Sequence, residues 1–192
     1  TGMKKTILGV LTILMVLGLS IGASAAPTPT LSFDIDFYGG STALVQGVFD
    51  TGSTIILKNP GDTVNVDILF SVTVEGVVGG GFDLDFDSDG INNLTASNLS
   101  FNFPPFVDTG SSEITAGNVR AQAFAFPPNT VVGPGSDFLF ASFIFECTAP
   151  GLDDLVLGDF SAGADWVTSP SGIVLDDQVT GTLASISNVP IP

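Results

Sequence analysis

Lys58-Asn59-Pro60-Gly61-Asp62-Thr63-Val64-Asn65-Val66-Asp67-Ile68-Leu69-Phe70, with Gly81-Phe82-Asp83-Leu84-Asp85-Phe86-Asp87 after it, decides the fold. Pro60-Gly61-Asp62 is a turn, because proline presets φ and glycine accepts the positive φ of a type II turn. Val64, Val66 and Ile68 then alternate with Asn65, Asp67 and Leu69, the period-2 pattern of a strand with one buried face. Phe82, Leu84 and Phe86 alternate with Asp83, Asp85 and Asp87 in the same way. The two stretches, joined through Gly76–Gly81, read as a piece of a β-sandwich.

Working outward, the same alternation predicts strands at Leu31–Tyr38, Leu94–Phe103, Asn118–Phe126, Phe138–Thr148 and Leu152–Phe160, with a last one over Ile173–Ile186. A short strand is expected at Leu44–Phe49, and Thr54–Leu57 leads into the central turn. Pro104-Pro105 and Thr109–Ser112 read as a connection. No stretch after the leader shows a 3.6-residue apolar period, so the body is expected to be all-β. Sixteen Phe supply a core with no hydroxyls to satisfy.

Lys4-Lys5, an apolar run from Ile7 to about Ile21, and Ala23-Ser24-Ala25 form a secretory signal peptide, expected as a helix over residues 1–25. Its apolar core is shorter than the roughly 20 residues of a membrane span. Thr1-Gly2 read as a reading-frame or cloning remnant, residues 26–30 as a linker, 31–187 as the sandwich and 188–192 as a separate end segment. Beyond the leader stand 20 acids against Lys58 and Arg120, a net of −18. Such a chain is expected to avoid nucleic acid and anionic membranes, and the mature domain is not expected to insert into one. Cys147 is the sole cysteine, so internal disulfides are excluded. It shares a strand face with Phe143 and Phe145 and reads as a small buried hydrophobe, since the chain has no histidine to activate it.

Lys58–Phe70 followed by Gly80–Asp87 resembles the opening of a cohesin domain, with its Pro-Gly-Asp-Thr-Val turn and the glycine-rich approach to an aspartate-ended strand. Phe143-Ile144-Phe145-Glu146-Cys147-Thr148-Ala149, then Gly151, is similar to that family's late strand, and Leu155–Phe160 sits where its last long strand begins. The likeness spans about residues 53–185; the segment at 31–37 is additional to it. It implies a jelly-roll sandwich of about nine strands that acts as a non-catalytic docking module. The implied partner is a dockerin-like protein or an extracellular polysaccharide at the bacterial surface. The implied binding face is the outer side of one sheet, and alternation assigns to it Asp83, Asp85, Arg120, Gln122, Ile144 and Glu146. Phe124 and Phe126 share parity with Arg120, so they either face a ligand or are returned to the core by a bulge, the second being the reading favoured. Asn188-Val189-Pro190-Ile191-Pro192 resembles the opening of a PEP-CTERM-type sorting signal, which would place the protein at the surface or in the extracellular matrix of a Gram-negative bacterium. A structural matrix protein without a specific ligand is the alternative.

Three further constellations read as ordinary turns, with an aspartic protease using Asp50 and Asp108 and a calcium loop as the alternatives. Asp50-Thr51-Gly52-Ser53 and Asp108-Thr109-Gly110-Ser111 resemble the catalytic loops of aspartic proteases, where Asp50 and Asp108 would share a proton. Only 58 positions separate them, far less than two such lobes need, and Asp and Ser in these loops serve as turn residues. Asp85-Phe86-Asp87-Ser88-Asp89-Gly90 matches the first half of a calcium loop through Asp85, Asp87 and Asp89, but Ala96 stands where a bidentate glutamate belongs. No cofactor is expected, with calcium at Asp85, Asp87 and Asp89 as the alternative.

Overall fold

The computed structural model describes residues 26–39, 54–57, 59–87, 90, 93–101, 106–125, 131–161 and 163–188. The expected leader helix, the strand at Leu44–Phe49, Asp50, Asp89, Phe126 and the end segment from Val189 lie outside these residues. Among the described residues, thirteen strands run in order: β1 (Leu31–Tyr38), β2 (Thr54–Leu57), β3 (Thr63–Val72), β4 (Gly76–Val77), β5 (Gly79–Asp85), β6 (Leu94–Ser100), β7 (Phe106–Asp108), β8 (Glu113–Thr115), β9 (Asn118–Ala125), β10 (Gly135–Cys147), β11 (Gly151–Gly158), β12 (Thr168–Ser169) and β13 (Gly181–Asn188). Nine of them have four residues or more, in keeping with the expected all-β jelly-roll sandwich.

Two sheets face each other. One has the order β1-β3-β10-β6; the other runs β2-β13-β11-β5-β9-β7, with β8 also on β9. The chain changes sheet repeatedly, from β3 to β5, back to β6, across to β9, back to β10 and across to β11. Alternation is the cause: each strand has one apolar row that must be covered by the opposite sheet. Val64, Val66, Ile68, Phe70 and Val72 of β3 are buried, as are Phe82 and Leu84 of β5. Cys147 is buried with Phe143 and Phe145, and burial, followed by the nearby Asp62 charge, pushes its thiol above the usual range.

The Pro60-Gly61 turn forms as expected. Asp62 N–H donates to Asn59 C=O at 3.0 Å, and Gly61 has φ 91°. Asp62 returns a carboxylate bond to Asn59 N–H at 2.9 Å, and the turn is tied to β10 through Gly61 N–H to Cys147 C=O at 2.8 Å. The additional segment, β1, pairs antiparallel with β3 along its whole length, Leu31 opposite Val72 through Tyr38 opposite Asn65.

Four expectations are corrected. Gly79–Gly81 are not a joint between strands but the first half of β5. The last strand starts at Gly181 and not at Ile173, because Asp176, in a single 3₁₀ turn over Asp176–Gln178, binds backbone N–H groups of Asp165 and Trp166 and draws the chain out of line. The strand from Leu94 ends at Ser100, where pairing with β10 stops at Ser142. The connection after Pro105 contains β7, which pairs with β9.

Candidate functional site

The outer face of the larger sheet carries most of the residues assigned from sequence. β5 and β9 pair without interruption from Gly79 opposite Phe124 to Asp85 opposite Asn118. Period 2 therefore puts Asp83 and Asp85 on the same outer face as Arg120, Gln122 and Phe124. Arg120 organises the centre. Its Nε lies 3.1 Å from Asp83 Oδ2 and its Nη1 3.3 Å from Glu113 Oε1, with about a third of the Arg120 and Asp83 side chains still exposed. Nη2 donates to Phe160 C=O at 2.7 Å, and the guanidinium carbon sits 4.5 Å from the centre of the Phe160 ring. Partly exposed pairs of this kind contribute about 0–1 kcal/mol each, so their role is to fix one geometry.

Gln122 Nε2 donates to Asp165 Oδ1, while its Oε1 accepts from Thr109 at 3.1 Å. Asn118 donates to Asp83 Oδ1. Asp85 Oδ1 accepts from Asp87 N–H at 3.0 Å, a turn contact within the stretch that resembles half a calcium loop. Among the described residues, no group of three metal-ligating side chains is brought together. Asp108 Oδ1 accepts from Gly110 N–H at 2.8 Å and from Ser112 at 2.9 Å, so this carboxylate closes its own turn.

Two site expectations are corrected. Glu146 and Ile144 do not join this face. β10 belongs to the other sheet, and because Phe143, Phe145 and Cys147 fill its inner row, Ile144 and Glu146 point away on the opposite side of the sandwich. Nor does a bulge return Phe124 to the core, since the register is unbroken there. Phe124 remains outside and half-buried because Gly79 leaves room for its ring; a Cβ on Gly79 would lie 2.1 Å from Phe124 Cδ1.

Glycine also explains what sequence reading missed. A Cβ on Gly81 would lie 2.8 Å from Phe160 Cβ, and one on Gly80 would lie 2.3 Å from the Trp166 ring. The three glycines of β5 thus take Phe124 and Phe160 on the outside and Trp166 on the inside. Asp165 and Trp166 come from the segment after β11, which no strand periodicity could align with β5; Phe160, the end of the expected strand Leu152–Phe160, lies just past β11, whose Gly158 pairs with Asp83. Asn118 was reachable, since it shares parity with Arg120.

Beside the ion pairs, between β5 and β11, lies a shallow depression of about 380 Å³ lined by Asp83, Asp85, Asn118, Val156, Leu157, Gly158 and Asp159. Asp159 has its pKa raised, first by burial and then by the charges of Asp176 and Asp165. A raised carboxylate pKa means that the folded state binds the proton more tightly than the unfolded chain. Stability is therefore lost as pH rises through the ordinary aspartate range toward the raised value, and regained on acidification. Asp159→Asn is expected to raise the melting temperature at neutral pH, with the gain vanishing below the ordinary aspartate pKa. Thermal melts of both proteins across pH 3–7 check this; an equal difference at every pH would contradict it.

No protein-family model matches the chain, and no curated protein matches it. A type III cohesin module from the cellulosomal cell-surface anchoring scaffoldin of Ruminococcus flavefaciens superposes with a TM-score of 0.53, over 88% of this chain and 91% of that one, at 13% identity. The fold is that of a cohesin module. Type I cohesins are structural neighbours too: one from Pseudobacteroides cellulosolvens (TM-score 0.47, 19% identity, 74% of this chain and 91% of that one) and one in a cohesin–dockerin complex from Clostridium thermocellum (0.48, 13%, 83% and 99%). On this cohesin fold the glycine-lined row and the ion-paired Arg120 lie on one continuous sheet face, β11-β5-β9-β7.

Proposed function

We propose that this is a non-catalytic docking module that binds a dockerin-like protein through the outer face of β11-β5-β9-β7. The observation that carries the reading is the single face itself: on a cohesin fold, Asp83, Asp85, Arg120, Gln122 and Phe124 share one uninterrupted side of β5 and β9. The ion pairs and the Gln122–Asp165 contact hold these side chains in place before any partner arrives, which reduces the ordering cost of association. Val156, 38% exposed, and Val107, 50% exposed, add apolar area on β11 and β7.

The leader assigned to Lys4–Ala25 supports export, and the resemblance at Asn188–Pro192 supports a cell-surface or matrix setting. Catalysis is not part of the proposal. The chain has no histidine, and Asp108 is engaged in its own turn. Polysaccharide binding has less support, because Phe124 is half-buried with its ring packed against Gly79.

The test is a binding panel of calcium-loaded dockerin modules from both type I and type III systems, measured by calorimetry. One-to-one binding by at least one class supports the proposal. Absence of binding across the panel, with retention on extracellular polysaccharide instead, overturns it.

A further inference from the structure

β1, the strand that the cohesin likeness does not include, stands at the end of its sheet among the described residues, in the order β1-β3-β10-β6. Such an edge presents main-chain N–H and C=O groups to any strand that comes alongside. Thr30 C=O accepts from Thr73 N–H at 3.0 Å, and the register then runs unbroken from Leu31 opposite Val72 to Tyr38 opposite Asn65. Antiparallel hydrogen bonding alternates along a strand, so Leu31, Phe33, Ile35 and Phe37 turn their main-chain groups away from β3, toward the edge. The same four residues form the inward apolar row, and Ser32, Asp34, Asp36 and Tyr38 form the outer one. An eight-residue strand with this alternation is the kind of segment that pairs edge to edge with its own copy.

Two of the four edge-facing N–H groups are taken by side chains. Asp34 Oδ1 accepts from Ile35 N–H at 2.8 Å, which brings a carboxylate of the outer row over the edge. Gln178 Oε1, from the 3₁₀ turn Asp176–Gln178, accepts from Leu31 N–H at 2.7 Å. We infer that Asp34 and Gln178 close the β1 edge against strand addition, and that the species they exclude is an antiparallel pair of two copies of this chain, joined β1 to β1. A second β1 needs the N–H groups of Leu31 and Ile35 for its ladder, so both caps would have to open on both copies first. Charge acts with the caps. In such a pair the Asp34 and Asp36 carboxylates of both copies would share one outer row, and like charges across paired strands are destabilising. Arg120, the sole Lys or Arg among the described residues, is held by Asp83 and Glu113 on the other sheet and cannot relieve them. Because β1 belongs to the sheet opposite the docking face, absence of dockerin binding leaves these expectations unchanged.

The test is sedimentation equilibrium of the intact protein and of three variants: Asp34→Ala combined with Gln178→Ala, Asp34→Asn, and Asp36→Ala. Each is measured at low salt and at about 0.5 M NaCl, where surface charges are largely screened. The unaltered protein is expected to stay monomeric, as is Asp34→Asn, whose amide oxygen can still accept from Ile35 N–H. Asp36→Ala removes a charge from the same row without touching either cap and is expected to stay monomeric too. The double variant is expected to pair at least about tenfold more tightly than the unaltered protein at both salt concentrations, with new amide protection at Phe33, Ile35 and Phe37. In dilute solution the Ile35 amide should exchange faster in the double variant and not in Asp34→Asn, which reports loss of the cap independently of pairing. A double variant that loses this protection and remains monomeric overturns the inference. A dimer protected on β6 or β7 in place of β1 does so as well, as does equal pairing by Asp34→Asn or Asp36→Ala, since charge alone would then be the barrier. If the double variant does not fold, Asp34→Ala and Gln178→Ala are measured singly by the same criteria.

Discussion

Replacing Trp166 with alanine is expected to lower the unfolding free energy by about 3–5 kcal/mol, the usual cost of emptying a large aromatic site. The ring is fully buried, packs 4.9 Å from Phe70, 5.2 Å from Phe140 and 5.3 Å from Phe33, and donates its N–H to Gly81 C=O at 2.7 Å. Gly80→Ala should cost about 1–3 kcal/mol by overpacking the same space, since the new Cβ would lie 2.3 Å from the indole. Combined, the two substitutions should cost clearly less than their sum, because the methyl group enters volume the ring has left. Chemical denaturation of the three variants measures this. Strict additivity would mean that glycine at position 80 serves some purpose other than admitting Trp166.

Phe140→Ala is the second large effect, again about 3–5 kcal/mol. Phe140 makes ring contacts with Phe70, Phe82, Phe101, Phe106 and Trp166 at 5.2–6.2 Å, joining the two sheets. Phe138→Ala, at a half-buried position with one ring contact to Phe70, should cost noticeably less. Denaturant midpoints of the two variants decide the matter, and equal losses would remove Phe140 from the centre of the core.

Phe140 also shows where reading a sequence by alternation stops. Counted back from Phe143, period 2 would place Phe140 on the outer side. A register shift between Leu139 and Ala141 against β3 turns it inward instead, so that Phe140 and Ala141 are both buried. Nothing local marks that bulge. Alternation works where every second residue of a strand is large and apolar, as in β3, whose buried and half-exposed residues alternate without exception. The cohesin-like order of the turn, the aspartate-ended strand and the late apolar strand was legible for the same reason.

The binding face was legible only within a sheet. Parity put Asp83, Asp85, Arg120, Gln122 and Phe124 on one side of β5 and β9, and they share it. Parity also placed Glu146 there, but it cannot say which of two sheets a strand enters, and β10 enters the other. The glycines were misread in a related way. Gly79, Gly80 and Gly81 look like a flexible joint, yet each is required by an aromatic ring from elsewhere in the chain. Trp166 follows β11 at a distance in sequence that gives no hint of where it lands.

The outer face of β11-β5-β9-β7 is the surface proposed to meet a partner. Amide hydrogen exchange of this protein with and without a calcium-loaded dockerin that binds it is the most direct measurement. Slowed exchange confined to β5, β9, β11 and the segment around Phe160 is the predicted result. Protection on β1, β3 and β6 with the larger sheet unchanged would contradict it.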